Sequence, residues 1–292
     1  MKKVIAIVGP TASGKTSLSI EIAKRIHGEI INGDSVQVYE GLDIGSAKIK
    51  PDEMQGIKHH LLSVCEPSEI YSVYHFQKDA RSYIDQINHP IIVGGTGLYI
   101  KAALYDYEFV ERKRSDAFES QYAELSNQTI YDLLISYDPD IVIDLNNRRR
   151  LIRALEQATL GELRSKKIKK DHLLYDACVI YLDLDRQLLE ERLKMRLDHQ
   201  LSLGFIDEVK QLKEKHIEIN AIGYREISQY LDGNLTLDEA KTLIITHSRQ
   251  LAKKQKTWFK NQMNPWMIDA TDDHLVEKVY EHVKAFLEEE TP

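Results

Sequence analysis

A phosphate-binding loop constrains this chain more than any other sequence feature. Residues 9–18 read GPTASGKTSL and match the pattern G-x-x-x-x-G-K-[ST] at each fixed position. Those fixed positions are Gly9, Gly14, Lys15 and Thr16. An apolar run at 4–8 precedes the loop and an amphipathic stretch at 15–26 follows it. A strand, a glycine-rich turn and a helix are the context in which such a loop holds phosphate oxygens. The pattern therefore predicts a bound phosphate or diphosphate group, without indicating which compound carries it.

Apolar runs and helical stretches alternate over residues 1–105. We expect strands at 4–8, 29–33, 60–64, 90–95, 177–185 and 265–270. We expect helices at 15–26, 71–87, 97–105 and 274–289. Such alternation is typical of parallel strands joined by helical crossovers, with the ligand at the carboxyl ends of the strands. We predict an α/β fold with a P-loop NTPase-like parallel sheet core.

The strand signal fades between residues 112 and 172. Charged, helical-looking segments replace it, such as RRRLIRALEQA at 148–158. We therefore predict a helical insertion lobe at 112–172, and a core formed by 1–111 and 173–292. Helices are expected to dominate the core again at 186–262.

Composition and charge restrict the classes of protein that remain. The apolar runs in the 292 residues are too short to span a membrane, and the N-terminal run leads directly into the phosphate loop. We expect a cytoplasmic protein without a membrane partner. The only two cysteines, Cys65 and Cys178, have no spacing that suits zinc or a disulfide framework.

The net charge is −7, yet basic residues cluster at 148–150, 164–170 and 249–260. Each cluster is equally well explained as a solvated helix face. Together they leave nucleic-acid binding open.

Three polar residues outside the phosphate loop are candidates for the chemistry. Asp34 follows the second strand and is a candidate general base or metal ligand, or else a turn cap. Thr96 offers a hydroxyl in the glycine-rich segment GGTGLYIK. Arg225, in NAIGYREI, is a candidate clamp on a leaving group, or a surface salt bridge.

These residues leave three classes open. One is a small-molecule kinase, and another is a transferase that binds a diphosphate ester in the same loop. The third is a nucleotide-gated binding module, for which no switch segment is identifiable.

A resemblance to one family rests on several stretches in a fixed order. They are GPTASGKTSL, INGDSVQVYEGLDIGSAK, HHLL, EPSEIYSVYHFQKDA, PIIVGGTGLYIKAAL, RLIRALE, AIGYREISQYLDG and SRQLAKKQKTWF. Together they closely resemble the bacterial tRNA dimethylallyltransferases, also called the tRNA isopentenyltransferase or IPP transferase family. The resemblance spans about residues 4 to 262.

The resemblance implies transfer of a dimethylallyl group from dimethylallyl diphosphate to N6 of the tRNA adenosine just 3′ of the anticodon. The phosphate loop would then hold the diphosphate of this ester, and no triphosphate would be consumed. The implied diphosphate contacts are Gly9, Thr11, Ala12, Ser13, Gly14, Lys15 and Thr16. A Mg²⁺ cofactor is implied beside Thr16, and no protein partner is implied.

The resemblance also assigns roles around the acceptor. Asp34, as the base, Thr96 and Arg225 are the implied catalytic residues. The implied tRNA contacts fall into two groups. Asp34, Ser35, Val36 and Gln37, with Thr96, match positions that contact the target adenosine, and the residues that would hold the anticodon stem-loop are Arg149, Arg150, Arg153, Lys253 and Lys254. A related class prenylates free adenylates, and it remains an alternative acceptor class.

Overall fold

The computed structural model describes residues 1–107, 109, 116–166 and 172–289. The chain divides into two compact units. Met1–Asp106 and His172–Pro292 form the first unit, and Tyr107–Asp171 forms the second. The sequence-based boundary of the insertion, 112–172, differs from these limits by a few residues at its start.

A six-stranded parallel sheet organises the first unit. The strands are β1 (Lys3–Val8), β2 (Glu29–Asn32), β3 (His59–His60), β4 (Pro90–Gly94), β5 (Asp176–Asp183) and β6 (Trp266–Asp269). Their order in the sheet is β3-β2-β4-β1-β5-β6. β1 pairs in parallel with both β4 and β5, so the phosphate loop leaves an interior strand at its carboxyl end. The predicted α/β fold with a parallel core is confirmed.

Helices connect these strands. In the first unit they are α1 (Lys15–Ile26), α2 (Val73–Gln86), α3 (Gly97–Leu104), α7 (Arg186–Ser202), α8 (Phe205–Glu214), α9 (Tyr224–Leu231), α10 (Leu237–Met263) and α11 (Leu275–Glu288). In the second unit they are α4 (Asp116–Gln121), α5 (Asn127–Tyr137) and α6 (Arg148–Thr159).

Alternate residues of β1 serve two separate cores. Val4 and Ala6 pack in one cluster with Phe76 of α2, whereas Ile5 and Ile7 pack in the cluster that includes residues of α1 and α11. Successive side chains of a strand point to opposite faces, so both faces of the sheet are covered. A sheet buried on both faces gives the loops at its strand ends a rigid base.

The third strand is shorter than the sequence indicates. It was expected at 60–64, but pairing ends at His60. Leu61 has φ 61° and Ser63 has φ 50°. This left-handed backbone is incompatible with an extended strand, so the ladder to β2 stops. The expected bounds of this strand, 60–64, are therefore wrong beyond His60.

The second unit has a small core of its own. Ile130 and Leu134 of α5 and Leu151 and Leu155 of α6 are buried together. Arg148, at the start of α6, donates to the backbone carbonyls of Tyr122, Ala123 and Leu125. The first arginine of the RRR run therefore has a structural role within this unit.

Within the described ranges, no helix combines the length and the apolar character that a membrane-spanning segment needs.

Candidate active site

The phosphate loop is closed by contacts among its own residues. The Ser13 hydroxyl is buried and donates to the Pro10 carbonyl at 2.8 Å, and Lys15 Nζ donates to the same oxygen at 2.6 Å. Gly14 is the N-cap of α1 with φ 88°, a conformation that strains any residue with a Cβ. The loop thus presents the N-terminus of α1, where backbone N–H groups and the helix dipole favour an anion.

A cavity of about 350 Å³ lies at the carboxyl ends of β1 and β2. Thr11 of the phosphate loop lines it, together with Asp34, Ser35 and Val36 from the segment after β2. Arg196 of α7 and residues of α8, α9 and α10 complete the walls. The structure therefore brings Thr11, a predicted diphosphate contact, to the same cavity as three of the predicted adenosine contacts.

Two cations and one carboxylate dominate the charge of this site. Burial, and secondly repulsion from the Arg196 guanidinium, lower the pKa of Lys15 to about 8, while the Asp34 carboxylate opposes the change. Burial also lowers the pKa of Arg196, again opposed by Asp34. Two cations crowded beside one carboxylate leave a net positive site, which suits an incoming diphosphate.

Sequence reasoning missed Arg196. It lies in the 186–262 region, which was interpreted only as helices. Its guanidinium donates to the Ser46 carbonyl at 3.0 Å. The available signal was its place beside buried Leu193 and Leu197 on the apolar face of α7. An arginine on the buried face of a helix needs an acceptor or an anion.

Asp34 caps the turn that follows β2. Its Oδ1 accepts the N–H of Val36 at 2.8 Å and that of Gln37 at 3.4 Å. Asn32 Oδ1 in turn accepts the Asp34 N–H at 3.1 Å. The turn-cap alternative is therefore observed, yet the same carboxylate lines the cavity. One oxygen fixes the turn, so the orientation of the carboxylate in the cavity is set by the backbone.

Thr96 joins the segment after β2 to the segment after β4. Its Oγ1 accepts the Ser35 N–H at 3.2 Å and donates to Ser35 Oγ at 3.3 Å. Gln37 Nε2 donates to the Ser46 carbonyl at 3.2 Å. The predicted adenosine contacts therefore belong to one connected network.

Arg225 has the kind of partner that its salt-bridge alternative expects. It forms an ion pair with Glu226, at 2.5 Å, and contacts His247 Nδ1 at 3.2 Å. The residues that line the cavity extend to Tyr224 but do not include Arg225. Its clamp role stays a prediction, and its pairing with Glu226 does not support it.

The basic residues that are predicted to contact tRNA lie on two helices. Lys253 and Lys254 are exposed on α10, and Trp258 of the same helix packs against the core of the first unit. Arg149 and Arg150 are exposed on α6 of the second unit, and Arg153 pairs with Glu156. Their contacts with RNA stay predictions.

Comparison with known proteins identifies the family. The model of the family described as IPP transferase matches residues 37–262. The chain belongs to the IPP transferase family. A second family model, isopentenyl transferase, matches residues 2–66. The resemblance inferred from the sequence motifs is confirmed.

Relatives in the IPP transferase family match nearly the whole chain. The tRNA dimethylallyltransferase of Acholeplasma laidlawii is 50% identical over 288 residues, which cover 98% of this chain and 99% of the relative. The crystal structure of the full-length tRNA isopentenylpyrophosphate transferase of Bacillus halodurans is 38% identical, with a TM-score of 0.75 and coverage of 99% and 97%. A eukaryotic dimethylallyltransferase acting on tRNA is 28% identical, with a TM-score of 0.82 and coverage of 98% and 80%. This chain is thus an enzyme of the IPP transferase family, and the comparisons favour transfer over the kinase alternative.

The described residues of this IPP transferase offer few ligands for a metal ion. They contain no group of three or more His, Cys, Asp or Glu side chains that could hold one. Thr16 is exposed in the first turn of α1. A single hydroxyl suits Mg²⁺, which takes most of its ligands from phosphate oxygens and water. The donor set therefore fits a Mg²⁺ that arrives with a diphosphate.

Proposed function

We propose that this enzyme transfers the dimethylallyl group of dimethylallyl diphosphate to N6 of the adenosine immediately 3′ of the anticodon in tRNA. The observation that carries the proposal is the cavity itself, which Asp34 and Arg196 both line, with the Lys15 amine close enough for the charges of both to influence its pKa. The names of the near-full-length relatives support the same reaction. The site therefore has cationic groups that suit the diphosphate of the donor and a carboxylate that suits the N6 proton of the acceptor.

The leaving group is the first requirement of this reaction. The bond from the allylic carbon to the diphosphate oxygen breaks, and its electron pair goes to that oxygen. The phosphate-loop N–H groups, Lys15 and Arg196 stabilise the charge that builds on the diphosphate. Because the allylic cation is delocalised, stabilisation of the leaving group is the main demand on the protein.

The nucleophile is the second requirement. Adenine N6 is weakly nucleophilic because its lone pair is delocalised into the ring. As the N6–carbon bond forms, a proton must leave N6, and the Asp34 carboxylate is the proposed acceptor. A positioned base of this kind contributes about 10²–10⁴-fold to the rate.

A magnesium ion belongs to this proposal. The Thr16 hydroxyl would hold it together with oxygens of the bound diphosphate. It would supply further positive charge to the leaving group.

The tRNA would be held through its backbone while the target adenosine turns out of the anticodon loop. Extrusion of the nucleotide is how enzymes reach a base otherwise held in a stack. We assign phosphate contacts to Arg149, Arg150, Arg153, Lys253 and Lys254.

A two-acceptor assay tests the proposal. Purified protein receives labelled dimethylallyl diphosphate and Mg²⁺ with either unmodified tRNA or AMP, and with no ATP. We expect label in tRNA and none in AMP. Label in AMP alone would assign the protein to the adenylate prenyltransferases, and label in neither would contradict the proposal.

A further inference from the structure

A glutamate outside the cavity binds a loop that forms one of its walls. Glu208 of α8 accepts four hydrogen bonds. Its Oε2 accepts the N–H groups of Asp43 at 3.0 Å and Ile44 at 2.7 Å. Its Oε1 accepts the Gly45 N–H at 2.9 Å and the Tyr224 hydroxyl at 2.7 Å. One carboxylate therefore satisfies three successive backbone donors and one phenol.

The loop at 42–47 lies directly on the helices that carry these contacts. A Cβ on Gly45 would come within 2.1 Å of the Phe205 ring and 2.6 Å of the Tyr224 ring. Gln200 Nε2 of α7 donates to the carbonyls of Ile44 and Gly45. The loop is thus held through its N–H groups by Glu208 and through its carbonyls by Gln200.

The held loop supports both ends of the site. The Ser46 carbonyl accepts from Arg196 at 3.0 Å and from Gln37 at 3.2 Å. Arg196 belongs to the proposed diphosphate end, and Gln37 to the proposed adenosine end. Gly45 and Ser46 also line the cavity, whereas Glu208 does not. A shift of this loop would move the two ends relative to each other.

We propose that Glu208 is a positioning residue for group transfer: by holding the N–H groups of residues 43–45, it sets the alignment of the donor and acceptor ends of the cavity through Ser46. This inference rests on the proposed function. Glu208 touches neither substrate, so its effect is on the rate of transfer within the assembled complex. The binding of each substrate alone depends on other residues.

Glu208→Gln is the sharpest change, because it keeps the size and shape of the side chain. All four partners are donors, whereas an amide has one acceptor oxygen and a donating nitrogen. At least one backbone N–H of the loop is left opposite that nitrogen. Glu239→Gln is the matched control, since the Glu239 carboxylate also accepts a backbone N–H, from Thr236 at 2.8 Å, at the start of α10.

Amide hydrogen exchange on the full-length protein, without substrates, tests the anchor itself. We expect exchange at residues 43–45 to be faster in Glu208→Gln than in the wild type and in Glu239→Gln. Unchanged exchange would overturn the inference. The exchange measurement needs no substrate, so its result does not depend on whether the proposed function is correct.

Steady-state kinetics with tRNA test the positioning role. We expect kcat to fall about 10- to 100-fold in Glu208→Gln, because small misplacements of reacting groups have effects of this size. The KM values for both substrates should stay within about twofold, as expected for a group that acts mainly in the transition state. Wild-type kcat together with faster exchange would overturn the positioning role. Absence of transfer by the wild type would instead contradict the proposed function.

Tyr224→Phe covers the case in which Glu208→Gln does not fold. It removes one of the four donors and keeps the ring against Gly45. We expect kcat to fall about two- to fivefold, in keeping with the loss of one hydrogen bond. An unchanged kcat would overturn the inference.

Discussion

The Asp34 carboxylate accepts the backbone N–H of Val36 through Oδ1, with an N···O distance of 2.8 Å. In the part of the chain that the structure describes, no hydrogen bond is made to Oδ2 of Asp34. Asp34, which lines the cavity, therefore uses one oxygen to hold the turn and leaves the other without a hydrogen bond from the described residues.

Asp34→Asn separates these two uses. The amide oxygen of Asn can still accept the Val36 N–H, but the side chain no longer accepts a proton from N6. We expect the single-turnover rate to fall about 10²- to 10⁴-fold with tRNA affinity nearly unchanged. Rapid-quench measurement with saturating tRNA checks this.

Asp185→Asn is the control for that experiment. Asp185 Oδ1 also accepts backbone N–H groups, those of Gln187 and Leu188 at the start of α7. The substitution Asp185→Asn should leave the single-turnover rate unchanged. A rate for Asp34→Asn equal to that of the control would make Asp34 purely structural.

The depressed pKa of Lys15 predicts how diphosphate binding depends on pH. The amine of the free enzyme loses its proton near pH 8, and a bound diphosphate raises that pKa again. Affinity is therefore full below about pH 8 and declines as pH rises through it. Calorimetric titration with inorganic diphosphate across this range, in wild type and in Lys15→Met, checks the prediction. The diphosphate ionises in the same way in both titrations, but Lys15→Met lacks the amine. Equal pH dependence of the affinity in the two proteins would therefore contradict the prediction.

Arg196 should bind the diphosphate and also influence Lys15. In Arg196→Gln we expect weaker binding of inorganic diphosphate, because one of two cations is lost. The pH midpoint assigned to Lys15 should also rise, since the Arg196 charge lowers that pKa. Lys194→Gln removes a charge from an exposed position of the same helix, paired with Glu190, and should change neither quantity. Wild-type affinity in Arg196→Gln would remove Arg196 from the site.

The exposed lysines of α10 test the proposed RNA surface. Lys253→Ala with Lys254→Ala should weaken tRNA binding and flatten its salt dependence, by about one unit or less of log–log slope for each lost phosphate contact. Affinity for dimethylallyl diphosphate should not change. Filter binding of labelled tRNA over a salt series measures both.

A second lysine pair controls for net charge. Lys210 and Lys215 are exposed on and just after α8, and their double alanine variant loses the same charge elsewhere on the molecule. If the two double variants have the same slope, Lys253 and Lys254 lie on a solvated face.

Local patterns predicted the framework of this enzyme well. The apolar run at 4–8 and the loop after it correspond to β1 and the N-terminus of α1, because burial and loop chemistry are both encoded in adjacent residues. The strand expected at 60–64 ended early, because the left-handed backbone at Leu61 and Ser63 leaves no periodic signal.

Residues whose roles depend on distant partners were not predictable from spacing. Arg196 and Glu208 both contact the loop at 42–47, which lies far from them in sequence. The Arg196 contact joins residues 150 apart, and the Glu208 contacts join residues 163 to 165 apart. Arg225 looked like a clamp in isolation, but Glu226 beside it provides a partner. Only the fold shows which charges meet.

Analysis of the modified nucleoside in tRNA tests the central claim most directly. Unmodified tRNA is incubated with the protein, dimethylallyl diphosphate and Mg²⁺, then digested and mapped by mass spectrometry. A transcript in which guanosine replaces the adenosine 3′ of the anticodon serves as the control. We expect one dimethylallyl group on N6 of that adenosine and none on the control transcript. Modification of the control transcript, or an unmodified adenosine in the first tRNA, would contradict the account.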